Sequence, residues 1–344
     1  MSEYDEKLEL YKKLEELVAN RLSTAIMEGY ISVMQISHRL KERSSVEEKN
    51  RRKANKYLSI TDMTDIVGIR VICYFSDQVD ETAKIVEKLF DIDWENSIDK
   101  RAALAPTTFG YLSLHYTCRL KSDGTYDPEL CELPFEIQIR SVLQHTWAEI
   151  EHDLGYKSEF GVPYHIRREF SRIAGVLEVA DELFLNIRKG VTDYVEDVRN
   201  RIRNDEADDL LLDVNTINEF TRNSAVWQDL MDKVVGLSGG ERIDVSSETF
   251  LPQLKHLGMN NLGDLKTTVI NHRDHVLSLV KESLAYFEMD ELSSNMILYY
   301  LCQACLIWGD YTDKQIEEFF AVSEKDKNKI KRQVERVKSK RAKI

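Results

Sequence analysis

Hydrophobic and polar positions alternate strictly along Phe135-Glu-Ile-Gln-Ile-Arg140, which puts Phe135, Ile137 and Ile139 on one face of a strand and Glu136, Gln138 and Arg140 on the other. Two more short stretches, Asp65-Ile-Val-Gly-Ile-Arg70 and Gly110-Tyr-Leu-Ser-Leu-His115, carry similarly dense polar chemistry among apolar residues. Three such strands in one chain point to a polar site built on a sheet. Strands are predicted over 66–74, 93–98, 111–120 and 134–140, with a helix over 81–90. Ahead of them, residues 4–37 show helical periodicity broken near Glu28-Gly29-Tyr30 and read as one or two helices. Ser45-Val-Glu-Glu48 fits a capping box that opens another helix, on which Ser45, Lys49 and Arg52 share a face.

Beyond residue 140 the period becomes helical. A helix is expected over 141–156, then a longer one whose Ile166, Phe170, Ile173, Leu177, Ala180 and Phe184 form an amphipathic packing stripe. The acidic run Asn204-Asp-Glu-Ala-Asp-Asp209 suggests a boundary, and the chain beyond it reads as almost entirely helical. The expected fold is therefore of the α/β (α+β) class: a mixed sheet flanked by helices over 1–200, followed by an all-helical domain over 215–344. Leu237-Ser-Gly-Gly-Glu241 spells the signature loop of ABC-type ATPases, but the chain has no GxxxxGK[ST] phosphate loop, so it reads as a turn.

At 344 residues and 42% hydrophobic, the chain can bury a substantial core and is long enough for two domains, since single cores rarely grow past roughly 250 residues. A net charge of −13 argues against non-specific DNA coating, which needs many phosphates neutralised by clustered cations. The charged start lacks the apolar core of a secretory signal, so a cytoplasmic location is expected. No membrane association is expected either: the longest nearly apolar run, 296–308, falls short of the roughly 20 residues a membrane helix needs. Five scattered cysteines imply no disulfide framework, and Cys302-Gln-Ala-Cys305 lies in an apolar helical run that reads as core. The Lys- and Arg-rich segment 325–344 reads as a solvated terminal helix.

Two carboxylates on separate strands, Asp65 and Glu136, can converge on one hard cation, because Mg²⁺ is held by one or two carboxylates plus substrate phosphates. Upstream lies a dense cationic run of Arg39, Lys41, Arg43, Lys49, Arg51, Arg52 and Lys53. Carboxylates for a metal, cations for phosphates and an aromatic in a glycine turn together suggest nucleotide chemistry. Five blocks then resemble, in order, the synthetase domain of the RelA/SpoT family: Arg39-x-Lys41-x3-Ser45-x3-Lys49-x2-Arg52, Asp65-Ile-Val-Gly-Ile-Arg70, Gly110-Tyr-x-Ser-x-His115, Glu136-Ile-Gln-Ile-Arg140, and Trp147-Ala-x2-Glu151-His152-x3-Tyr156-Lys157. The match spans about residues 20–190 and leaves the rest uncovered.

The resemblance implies a nucleotidyltransferase-like sheet and transfer of the β,γ-pyrophosphate of ATP to the 3′-hydroxyl of GDP or GTP, giving (p)ppGpp and AMP. It implies that Arg39 and Arg70 sandwich the adenine, that Lys41, Ser45, Lys49 and Arg52 hold the ATP phosphates, and that Asp65 binds Mg²⁺. Glu136 would share the metal or take the proton from the attacking hydroxyl. Tyr111 would stack on the acceptor base, His115 would approach the phosphates, and Gln138 and Arg140 would line the acceptor side. Where long family members carry a lysine and an asparagine before the Gly-Tyr turn, this chain has Ala105-Pro-Thr-Thr-Phe109, with Lys100 and Arg101 further upstream. That departure keeps acceptor identity open. One alternative is a toxin-like relative acting on the 3′ end of tRNA or making adenosine alarmones; another is a non-catalytic nucleotide sensor. A homo-oligomer is compatible with all three readings. His145, Glu149 and His152 also fall at a zinc-ligand spacing on one helical face, although no further ligand is evident.

Overall fold

A computed structural model of the chain describes residues 3–52, 57, 59–103, 110, 113–156 and 163–343, and only the backbone at Arg52, Ala102, Ala103, Gly155 and Tyr156. The first helix, α1 (Glu3–Glu28), buries Tyr11, Leu14, Val18, Leu22 and Ile26, which recur three or four residues apart. It ends at Gly29-Tyr30, where Tyr30 takes a left-handed φ of 53°. The chain then enters a strand, β1 (Val33–Leu40), where the periodicity predicts helix to residue 37. Val33, Ile36 and Leu40 are spaced three and four apart, which imitates a helix, but pairing with the next strand decides the backbone.

The remaining elements of this part are α2 (Arg43–Arg52), β2 (Val67–Cys73), α3 (Asp77–Leu89), β3 (Asp91–Asp99), α4 (Lys100–Ala103), β4 (Leu114–Arg119), α5 (Pro128–Cys131), β5 (Phe135–Ser141), α6 (Val142–Tyr156) and α7 (Tyr164–Arg203). α2 starts two residues before the expected cap: the Val46 N–H already donates to the Glu42 carbonyl at 3.0 Å, so Ser45 lies inside the first turn. Among the described residues the five strands form one mixed sheet in the order β1-β2-β5-β4-β3, with β2 and β5 parallel and the other pairs antiparallel.

One face of this sheet is apolar. Val67, Ile69, Val71, Phe135, Ile137, Ile139, Tyr116 and Cys118 are buried there in one cluster with the inward residues of α1 and α3. Full burial contributes roughly 1.5–3 kcal/mol per large side chain, so this face holds the sheet together and the other is free to be polar.

At the end of β5, Ser141-x-x-Gln144 forms a reciprocal cap on α6. The Gln144 N–H donates to Ser141 Oγ at 3.2 Å, and the Ser141 N–H donates to Gln144 Oε1 at 3.0 Å. The Ser141 hydroxyl donates in turn to Asp181 of α7 at 2.7 Å. Asp181 and Ala174 are the buried residues of α7 in this stretch, whereas Ile173 and Phe184 of the predicted stripe are half exposed. The inward face is rotated by about one residue from the prediction because a polar anchor, not the apolar ridge, meets the sheet.

The chain divides into two compact units, Met1–Arg188 and Lys189–Ile344, with the division inside α7. In the second, the acidic run after α7 supplies Asp205 and Asp208, which both hold Lys266. Its further helices are α8 (Val214–Asn223), α9 (Ala225–Ser238), α10 (Leu251–His256), α11 (Leu262–Leu284), α12 (Ser294–Trp308), α13 (Asp313–Ala321) and α14 (Lys327–Arg341). The apolar run predicted as a buried helix is α12, and Cys302 and Cys305 are buried free thiols in it. Contrary to an all-helical expectation, β6 (Glu241–Ile243) and β7 (Glu291–Ser293) form a short parallel pair. Gly239 closes α9 with a left-handed φ of 72°, and a Cβ on Gly240 would collide with the Met289 carbonyl, so the Gly-Gly pair serves the turn that starts β6. Among the described residues no helix is long and apolar enough to cross a membrane.

Candidate functional site

Strand register assembles the polar face in two rungs. Arg39 of β1 lies opposite Gly68 of β2, which lies opposite Glu136 of β5, which lies opposite Thr117 of β4. One step along, Ser37, Arg70, Gln138 and His115 form the second rung. Side chains two residues apart on a strand share a face, so both rungs project to the same side. Ser37, Arg39, Asp65, Gly68, Arg70, Glu136 and Gln138 line a cleft of about 120 Å³ on that side.

Asp65 precedes β2 and is clasped by two ammonium groups. Lys41 Nζ sits 2.7 Å from Oδ2 and Lys49 Nζ 2.8 Å from Oδ1. Lys41 is placed by its own backbone, whose N–H donates to the Ile66 carbonyl at 2.8 Å and continues the β1–β2 ladder. Lys49 is placed by α2, whose Val46 is anchored in the core. Burial pushes the Asp65 carboxyl up, but the two lysines outweigh it and hold the group below the usual carboxylate range.

Glu136 sits in a relay. Buried Arg140 donates to Gln138 Oε1 at 2.5 Å, the Gln138 amide donates to Glu136 Oε1, and His115 Nδ1 lies 3.4 Å from the same oxygen. Burial again raises the carboxyl, and the contacts with His115 and Gln138 bring it below its ordinary value. Both carboxylates of the cleft are thus held ionised. Arg70 extends across the face to α6, where its Nη1 donates to Glu149 Oε1 at 2.8 Å. Among the described residues Arg39 makes no ion pair, and its side chain lies over Gly68, where a Cβ would come within 3.8 Å of Arg39 Cγ.

The structure therefore brings together Arg39, Lys41, Lys49, Asp65, Arg70, His115, Glu136, Gln138 and Arg140. Ser45 is exposed on α2 and does not line the cleft. Tyr111, Lys53, Lys56, Lys157 and the segment 105–109 lie outside the described residues, as does the side chain of Arg52. Glu149 is engaged by Arg70 and by His145 Nδ1 at 3.6 Å rather than set in a zinc cluster. Among the described residues no group of three or more His, Cys, Asp or Glu could hold a metal. Asp65 and Glu136 remain as a pair of hard oxygen donors.

Two contributors have a place that the sequence reading does not assign. Lys100, the first residue of α4 and named there only as lying upstream of the Gly-Tyr turn, is pushed down in pKa by burial, with Glu136 opposing the shift and Arg140 reinforcing it, so it stands among the charges of the Glu136 relay. Glu149 enters the sequence reading only as a metal ligand. A useful signal is its position two residues after Trp147 on a helix entered directly from the Glu136 strand.

Residues 38–160 match the family model described as "Region found in RelA / SpoT proteins". The chain is 33% identical over 154 residues to the GTP pyrophosphokinase YjbM of Bacillus subtilis (strain 168), an alignment covering 44% of this chain and 71% of that protein. It is 26% identical over 200 residues to the GTP pyrophosphokinase YwaC of the same organism, covering 56% of this chain and 93% of that one. Among solved structures it is similar to the small alarmone synthetase 1 from Bacillus subtilis, with 27% identity, a TM-score of 0.45, and coverage of 55% of this chain and 98% of that chain. With the motif blocks of the cleft inside the matched region, and 33% identity across 71% of a pyrophosphokinase, the chain belongs to the RelA/SpoT family of pyrophosphokinases.

Proposed function

We propose that this pyrophosphokinase transfers the β,γ-pyrophosphate of ATP to the 3′-hydroxyl of GDP or GTP. In the step, the 3′-oxygen attacks the β-phosphorus, the bond between that phosphorus and the α,β-bridging oxygen breaks, AMP leaves with the bridging oxygen, and the hydroxyl proton passes to a base. The observation that carries the reading is the pair of ionised carboxylates, Asp65 and Glu136, in one cleft with Lys41 and Lys49 at one and His115 at the other. Lysines at 2.7 and 2.8 Å from Asp65 can turn to the donor phosphates, while His115 and Arg140 serve the acceptor side.

The donor set fits Mg²⁺: two hard carboxylates, both ionised, lining one cleft of about 120 Å³. When bound, the ion would neutralise charge developing on the transferred phosphates. Glu136, hydrogen-bonded from Gln138 and beside His115, is the candidate proton acceptor. The products would be ppGpp or pppGpp, together with AMP.

The test is incubation of the purified protein with γ-labelled ATP and Mg²⁺ against GDP, GTP, ADP or deacylated tRNA in turn. Label on GDP or GTP supports the proposal. Label on tRNA or ADP alone would replace the acceptor, and ATP binding with no transfer would favour a sensor.

A further inference from the structure

We infer that Glu149 is a positioning residue that presets the Arg70 guanidinium as the fixed wall of the donor-base slot, an inference that rests on Arg39 and Arg70 being the base-stacking pair. Arg39 and Arg70 are diagonal neighbours across β1 and β2, since Arg39 faces Gly68 and Ser37 faces Arg70. Diagonal positions lie about 7–8 Å apart, room for one flat ring between two guanidinium planes. Gly68 contributes no side chain to the floor between them.

The two walls are held differently. Among the described residues Arg39 has no ion-pair partner, whereas Arg70 donates to Glu149 Oε1 at 2.8 Å. Glu149 is itself set by a rigid mount: α6 is capped by Ser141 and Gln144, and the cap is tied to buried Asp181. Residue 149 stands about 12 Å along α6 from that anchor, near enough to inherit its orientation. An unrestrained arginine loses rotamer freedom when it stacks, so an arginine oriented before ATP arrives binds with a smaller entropic loss. Glu149 touches no reacting atom in this reading and acts through Arg70.

A purely electrostatic role would have the opposite sign. A carboxylate near a polyanionic donor repels it, so removing that charge alone would tighten ATP binding. The full-length protein with Glu149→Ala and Glu149→Gln separates the two, because glutamine loses the charge but keeps an oxygen that accepts from Arg70. For Glu149→Ala the expected result is about fivefold weaker binding of a non-hydrolysable ATP analogue by calorimetry and a matching rise in KM for ATP, with kcat and acceptor KM within about twofold. Glu149→Gln should stay within about twofold of the parent, and inorganic tripolyphosphate, which lacks the base, should bind all three proteins alike.

Unchanged analogue binding in Glu149→Ala, tighter binding in both variants, or an equal loss for tripolyphosphate would each overturn the inference. Arg70→Ala is the control for the underlying reading. If it leaves analogue binding unchanged, the base slot itself is wrong. If it weakens binding while Glu149→Ala does not, only the positioning role fails.

Discussion

Replacing Asp65 by asparagine keeps the shape of the side chain and removes the charge that two lysines share. The three groups are 22%, 16% and 27% exposed for Asp65, Lys41 and Lys49, between a surface pair and a buried one. Surface pairs contribute about 0–1 kcal/mol, while breaking a buried pair costs about 3–5 kcal/mol. The expected loss is about 2–3 kcal/mol, partly because Lys41 and Lys49 then confront each other with no anion between them. For a unit of this size that lowers the melting temperature by about 4–12 °C. Adding Lys41→Met to Asp65→Asn should recover about 1 kcal/mol or more, since it removes one of the two stranded cations. Pyrophosphate transfer should fall by on the order of 10²–10³-fold in both variants, the scale of losing one preorganised electrostatic contact in the transition state. Thermal melts and initial rates on all three proteins check this. Turnover within about tenfold of the parent in a folded Asp65→Asn protein would refute the role in transfer, and a rise in stability would show that desolvation outweighs the lysine clasp.

Two further predictions concern the supports of the fold. Burial raises the Asp181 carboxyl above its ordinary value, so between that value and the raised one the folded state binds more protons than the unfolded state and stability falls as pH rises. Asp181→Asn keeps an oxygen for the Ser141 hydroxyl and removes this dependence, so its melting temperature relative to the parent should climb as pH rises through and above the ordinary carboxylate range; a constant difference would contradict the assignment. In the second unit, the Arg341 guanidinium donates to the carbonyls of Leu306, Gly309 and Tyr311 at the C-terminal end of α12. Arg341→Ala should cost that unit about 2–3 kcal/mol in denaturant unfolding, with Arg341→Lys intermediate.

The central strands are legible in the sequence because β2 and β5 carry two signals that agree, an apolar register and turn-forming flanks. β1 is not, because Val33, Ile36 and Leu40, spaced three and four apart, fit a helix as well as an edge strand, and its partner about 30 residues away settles the matter. Missing it matters little for identifying Arg39, which motif spacing supplies, but it hides the rung that sets Arg39 diagonal to Arg70. The pairing of Arg70 with Glu149 spans 79 residues and has no local signature at all. The face of α7 is misleading for a different reason: Asp181 is polar and so falls outside the apolar stripe, yet its bond to Ser141 turns that side inward.

Strand order also predicts how the two nucleotides divide the face. Arg39 lies on β1 and His115 on β4, with β2 and β5 between them, and both carboxylates belong to the middle of this array. Three strand spacings separate Arg39 from His115 by about 14 Å, beyond the roughly 7–10 Å over which substitutions couple. Arg39→Ala should raise KM for ATP about tenfold, from loss of stacking, and leave acceptor KM near its parent value. His115→Ala should do the reverse, and in the double variant the two effects should add within about 0.5 kcal/mol. The middle positions behave otherwise: Asp65 bears on Glu136 through its charge, so substitutions there should be non-additive and fall mainly on kcat. If His115→Ala raises donor KM as much as Arg39→Ala does, or the pair couples by more than about 1 kcal/mol, donor and acceptor do not enter from opposite sides of the carboxylates and this division of the face fails.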